Sequence, residues 1–138
     1  MKQERASLLQ VMAVTIVILL LSQLAGIFLS LYAKFWWLDI LNHFIGGLFG
    51  GLFAIWFFYY SGYVGSLKIL KILQNRIAVA VFSVFLVAIL WEAYEYVLGP
   101  FDSYINYPLD TSKDIVIGTF GSLLSSAFYT KSRKNNGK

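Results

Sequence analysis

Long apolar runs separated by short polar intervals set the plan of this chain. The first extends from about Leu8 to Ala33 without a charged residue. Three more run from Asp39 to Tyr60, from Ile77 to Leu98 and from about Lys113 to Thr130, the last being the richest in Gly and Ser. A helix needs about 20 predominantly apolar residues to cross the roughly 30 Å hydrocarbon layer of a bilayer. The pattern therefore predicts an all-α integral membrane protein, a four-helix antiparallel bundle with spans 8–33, 39–60, 77–98 and 113–130. The first run exceeds the roughly 7–15 residues of a signal peptide's hydrophobic segment, so it reads as an uncleaved anchor.

Composition agrees with a bilayer as solvent. The 138 residues are 59% hydrophobic and 13% charged, against about 25% charged in soluble domains. Residues 1–138 read as a single transmembrane domain. Cysteine is absent, which excludes disulfides, thiolate metal sites and cysteine nucleophiles.

Charge supplies the orientation. With the N-terminus inside, Lys2, Arg5, Lys68, Lys71, Arg76, Lys131, Arg133, Lys134 and Lys138 lie on the cytoplasmic side, leaving only Lys34 and Lys113 of the eleven basic residues outside. The positive-inside rule then puts both termini in the cytoplasm of a multi-pass cell-membrane protein. The net charge of +4 belongs to these flanks. It argues for membrane lipid as a partner and for no nucleic acid. Between Val64 and Arg76, Leu67, Leu70 and Leu73 interleave with Lys68, Lys71 and Arg76. That is either a short amphipathic helix on the inner surface or a basic loop. The aromatic runs Phe35-Trp36-Trp37 and Phe57-Phe58-Tyr59-Tyr60 read as interfacial belts.

The acids have the opposite bias. Of the seven, only Glu4 falls on the cytoplasmic side. Asp39 opens the second span, Glu92 and Glu95 close the third, and Asp102, Asp110 and Asp114 lie in the outer loop and at the start of the fourth. The single histidine, His43, is one turn inside the second span. Asp39 and His43 are four apart and share a face, about 6 Å apart along the axis. Glu92 and Glu95 share a face of the third helix, and Asp110 and Asp114 share one if the fourth helix begins before Asp110. Three helices thus bring polar groups to one depth, at the outer end. Below them, Gly46, Gly47, Gly50, Gly51 and Ala54 on the second helix and Gly118, Gly121, Ser122 and Ser125 on the fourth predict close packing of those two helices.

Several carboxylates at one place raise one another's pKa unless a counter-charge is present. Asp39 and Asp114 are expected near helix N-termini, where the dipole favours negative charge. Carboxylates plus one imidazole suit a divalent metal ion such as Mn, Fe, Zn or Mg, held by Asp39, His43, Glu92, Glu95, Asp110 and Asp114. Two other readings stay open, a proton or ion relay and a structural hydrogen-bond network. Asp102 reads as a marker of the membrane–water boundary, and Asp39 and Asp110 also suit helix caps. There is no glycine-rich phosphate loop, HExxH or GxSxG. Ser22 and Gln23 have no acid or base partner in sequence, so a serine hydrolase finds no support.

Three pieces carry a family resemblance: Asp39-Ile-Leu-Asn-His43-Phe44 followed by glycines, Trp91-Glu92-Ala-Tyr-Glu95, and Asp110-Thr-Ser-Lys-Asp114 followed by Gly118 and Gly121. In order and spacing they resemble the small bacterial inner-membrane proteins typified by YjdF and, more distantly, VanZ-like proteins, which tend to have glutamine where this chain has Glu95. The resemblance spans roughly residues 35–125. It implies an inner-membrane location and the same site residues; VanZ-like proteins are associated with glycopeptide resistance. The leading expectation is divalent-cation binding, structural or serving metal-dependent chemistry on a lipid or envelope precursor. The alternatives are a proton- or ion-coupled transport component and a non-catalytic membrane protein.

Overall fold

The computed structural model describes residues 2–64, 75–98 and 106–136, with side chains for 5–64, 75–97 and 106–132. The described residues are helical apart from turns: α1 Lys2–Phe28, α2 Leu31–Lys34, α3 Trp37–Tyr59, α4 Arg76–Leu98 and α5 Tyr107–Asn136. The Val64–Arg76 amphipathic segment falls almost wholly on residues 65–74, and these, like Asp102, lie outside the described residues. Arg76 itself is the first residue of α4.

One correction concerns the first span. The run 8–33 is not one helix. It breaks after Phe28, where Ser30 takes a left-handed conformation (φ 52°), and resumes as the single turn α2. A Cβ at Gly26 would strike the Tyr32 ring, so the glycine leaves room for Tyr32 to fold back onto α1.

Among the described residues, three helices are long and apolar enough to cross a membrane by length and composition: Arg5–Phe28, Trp37–Tyr59 and Arg76–Val97. The segment 113–130 falls inside α5 but is too polar. Much of that polarity faces inward, since Asp114, Gly118, Gly121, Ser122 and Ser126 are buried.

Helix α3 is the hub, packing on α1, α4 and α5, and α4 also packs on α5. Pairings along the helices fix their directions. On α3 and α5, His43 faces Asp114, Gly47 meets Gly118, Gly51 meets Ser122 and Ser125, and Tyr60 meets Tyr129. These two helices therefore run parallel. Gly50 meets Val84 and Arg76 stacks on Tyr59 and Tyr60, so α4 runs antiparallel to both. Gln23 pairs with Asn42 and Leu19 approaches Gly46, so α1 is antiparallel to α3.

The glycines of α3 accordingly divide among three neighbours, because each residue turns about 100° from the last in a helix of 3.6 residues per turn. Only Gly47 and Gly51 serve α5, while Gly46 faces α1 and Gly50 faces α4.

The apolar core lies at the end that holds the N-terminus of α1. Leu8, Met12, Leu52, Ala54, Ile55 and Ala80 are buried there, ringed by aromatic side chains. Tyr60 accepts a hydrogen bond from Arg76 at 3.1 Å, and the Tyr129 hydroxyl donates to that of Tyr60 at 2.9 Å. Asn75 caps α4, its Oδ1 accepting from the N–H groups of Ile77 and Ala78. The opposite end is polar.

Candidate functional site

That polar end is built by α3, α4 and α5. An apolar helix can carry a few polar groups only if neighbouring helices cover them, because an uncovered ionisable group in hydrocarbon is costly. Asp39 and His43 lie one turn apart on α3, with His43 Nε2 3.6 Å from Asp39 Oδ1. The same nitrogen is 4.0 Å from Oδ2 of Asp114 on α5. Each of Asp39, His43 and Asp114 can offer one donor atom with all three within 4.8 Å of one another, and His43, Glu92 and Glu95 do the same across α3 and α4. His43 is shared by both triads.

Burial grades across the cluster. Glu92 is 6% exposed and Asp114 2%, whereas Asp39 and Glu95 are half-buried. Glu92 Oε1 and Asp114 Oδ1 are fully buried and accept no hydrogen bond from the described residues. Lys113 Nζ comes to 3.6 Å from Asp114 Oδ1, but its close partner is Asp110 Oδ1. Asp110 stands outside both triads, with Lys113 as its counter-charge.

Helix α5 begins at Tyr107, so Asp110 and Asp114 do share a helix face. Asp114, however, lies two turns inside. The dipole of an N-terminus, whose effect fades within the first turn, therefore favours Asp110 and gives Asp114 little. Asp39 lies in the first turn of α3, which has no side-chain cap bond, and its carboxylate faces His43.

The surroundings hold groups that the sequence reading did not connect. Trp91 Nε1–H donates to Glu95 Oε1 at 2.8 Å, and the Tyr107 hydroxyl donates to the backbone carbonyl of Glu92 at 2.9 Å. Beside His43, Asn42 is 4% exposed. Its Nδ2 donates to the Tyr32 hydroxyl at 2.6 Å and to Gln23 Oε1 at 3.4 Å, while Tyr32 also donates to Gln23. This neutral clamp fastens α1 and α2 to the site-bearing end of α3. An asparagine inside an apolar run next to the only histidine was the available signal.

The donor atoms of each triad, within 4.8 Å of one another, are close enough that side-chain adjustments of about an ångström would bring them within reach of one divalent ion. The two carboxylate oxygens that accept no hydrogen bond from the described residues are hard donors of the type divalent cations take.

A family model described as "Predicted membrane protein (DUF2238)" covers residues 1–135. No curated protein and no solved structure matches the chain.

Proposed function

We propose, for a chain that belongs to the DUF2238 family of predicted membrane proteins, a four-helix membrane bundle that binds a divalent cation at its extracytoplasmic end. The observation that carries this reading is the pair of buried oxygens that accept no hydrogen bond from the described residues, Glu92 Oε1 and Asp114 Oδ1, in triads that share His43. A buried carboxylate oxygen with no donor is costly. Three solutions exist: a bound cation, a proton, or water. Two carboxylate triads meeting at one imidazole favour the cation.

In this reading α5 is the fourth spanning helix. Its 30 residues reach about 45 Å at 1.5 Å per residue, and it packs along both α3 and α4. The charge bias of the flanking segments sets both termini in the cytoplasm and the acidic end outside. The YjdF-like order of motifs falls within the family match and is consistent with the same site.

His43, Asp39, Asp114, Glu92 and Glu95 would hold the cation, with Asp110 and Lys113 at the rim. A bound cation supplies Lewis-acid activation of water or of a phosphoryl oxygen, and a half-buried carboxylate left unligated has the access to act as general base. A transport role finds less support, because α3 and α5 meet backbone to backbone at Gly47 and Gly118 just below the cluster.

Thermal unfolding in detergent tests the reading. A cation present at about 100 times its Kd stabilises the folded state by roughly 2.7 kcal/mol. Chelator should lower the melting temperature, Mn, Zn, Fe or Mg should restore it, and His43→Ala should abolish the response. Insensitivity of the wild type to chelator and to all four ions would leave a structural polar network as the better account.

A further inference from the structure

Trp91 sits where a membrane protein usually spends tryptophan on its surface. It is 43% exposed and lies near the polar end of α4, where an ordinary interfacial tryptophan would direct its N–H to water or lipid headgroups. The indole does something else. Its Nε1–H points along the helix to Glu95 Oε1, one turn on, at 2.8 Å. The Tyr94 ring flanks the indole with centroids 5.6 Å apart.

A glutamate on a half-open helix face has three rotatable bonds and several rotamers. A neutral, geometrically fixed donor on one oxygen selects among them. Outer partners of this kind orient metal ligands, and their loss typically costs about 10–100-fold in metal affinity.

We propose that Trp91 is a positioning residue for the cation site, holding Glu95 in its ligating orientation through the indole N–H. The inference rests on the cation reading above. It also separates the residues of the Trp91-Glu92-Ala-Tyr-Glu95 segment by role. Glu92 and Glu95 reach the pocket from adjoining positions of one face, and Trp91 acts through Glu95 without touching the ion.

The test is Mn(II) binding to full-length protein in detergent, followed by electron paramagnetic resonance. Trp91→Phe keeps an aromatic ring and removes the donor, and should weaken Mn(II) binding about 10-fold or more. Trp37→Phe, on another exposed aromatic, should leave it unchanged. In a Glu95→Gln background, Trp91→Phe should add no further loss, because the two residues act as one unit.

Equal losses in both backgrounds would show that the ring acts through packing, and would overturn the proposal. So would unchanged binding in Trp91→Phe. Wild type that binds no Mn(II) would instead remove the cation reading, and this inference with it.

A second measurement needs no variant to fold. In wild-type protein with 15N-labelled indoles, Zn(II) should move the Trp91 Nε1–H resonance and leave that of Trp36 in place. A Trp91 resonance unmoved in protein that demonstrably binds Zn(II) would also overturn the proposal.

Discussion

Replacing Gly47 by alanine probes both the packing of the bundle and the assembly of its polar end. A Cβ at Gly47 would meet the carbonyl carbon and Cα of Gly118 at 2.7 and 2.9 Å, with the carbonyl oxygen closer still. Carbon–oxygen contacts between backbones settle near about 3.3–3.6 Å, and no side-chain rotation can relieve a clash between two main chains. Helices α3 and α5 must therefore move apart, and overpacking of this kind costs about 1–3 kcal/mol. Gly46→Ala is the control. Its Cβ would have only Leu19 Cδ2 within reach, at 3.9 Å, so it should show the gain of about 0.5–1 kcal/mol that alanine brings to a helix interior. Both substitutions make the same propensity change in the same helix, so their difference isolates the overpacking. Chemical denaturation in detergent should place Gly47→Ala about 1–3 kcal/mol below Gly46→Ala. Because the separation also draws Asp114 from His43, Gly47→Ala should bind Mn(II) more weakly. Equal stabilities for the two variants would refute the backbone contact.

Two further outcomes follow from the clamp and the orientation. Asn42→Leu should cost about 0.5–1.5 kcal/mol through lost hydrogen bonds, and Gln23→Leu should cost less in that background than alone, by denaturation in detergent; strictly additive losses would show that the two side chains are not coupled. Ser112 and Ser132 lie on α5 about 30 Å apart along its axis, so Ser112→Cys should react with an impermeant thiol reagent in intact cells and Ser132→Cys should not. The reverse pattern would invert the orientation.

The helices that rely on their own apolar runs were legible from the sequence. Helices α3 and α4 begin and end close to the boundaries set by their hydrophobic segments, because length and apolarity are local properties. The break after Phe28 was not, since no proline marks it. It depends on Tyr32 folding back over Gly26 toward Gln23 and Asn42, a tertiary contact between residues that look unremarkable in order. Helix α5 misleads in the other direction. Its hydropathy is lowered by polar residues such as Asp114, Ser122 and Ser126, which are buried in the bundle, and a composition window cannot tell a buried serine from an exposed one.

At the site, three- and four-residue spacings paired the acids correctly on their own helices. They could not choose which member of the α5 pair meets His43. The register that sets Gly47 on Gly118 decides it, bringing Asp114 to His43 and leaving Asp110 to Lys113. Spacing likewise could not show that Trp91 donates its N–H to Glu95, or that Asn42 ties α1 to the cluster.

The most direct test of the cation site is elemental analysis of protein purified without chelator, as wild type and as the folded variants His43→Ala and Glu92→Gln. The account predicts bound Mn, Fe, Zn or Mg in stoichiometric amount in the wild type, lost or sharply reduced in both variants. Metal-free wild type that takes up none of the four on incubation, or undiminished metal in both variants, would contradict it.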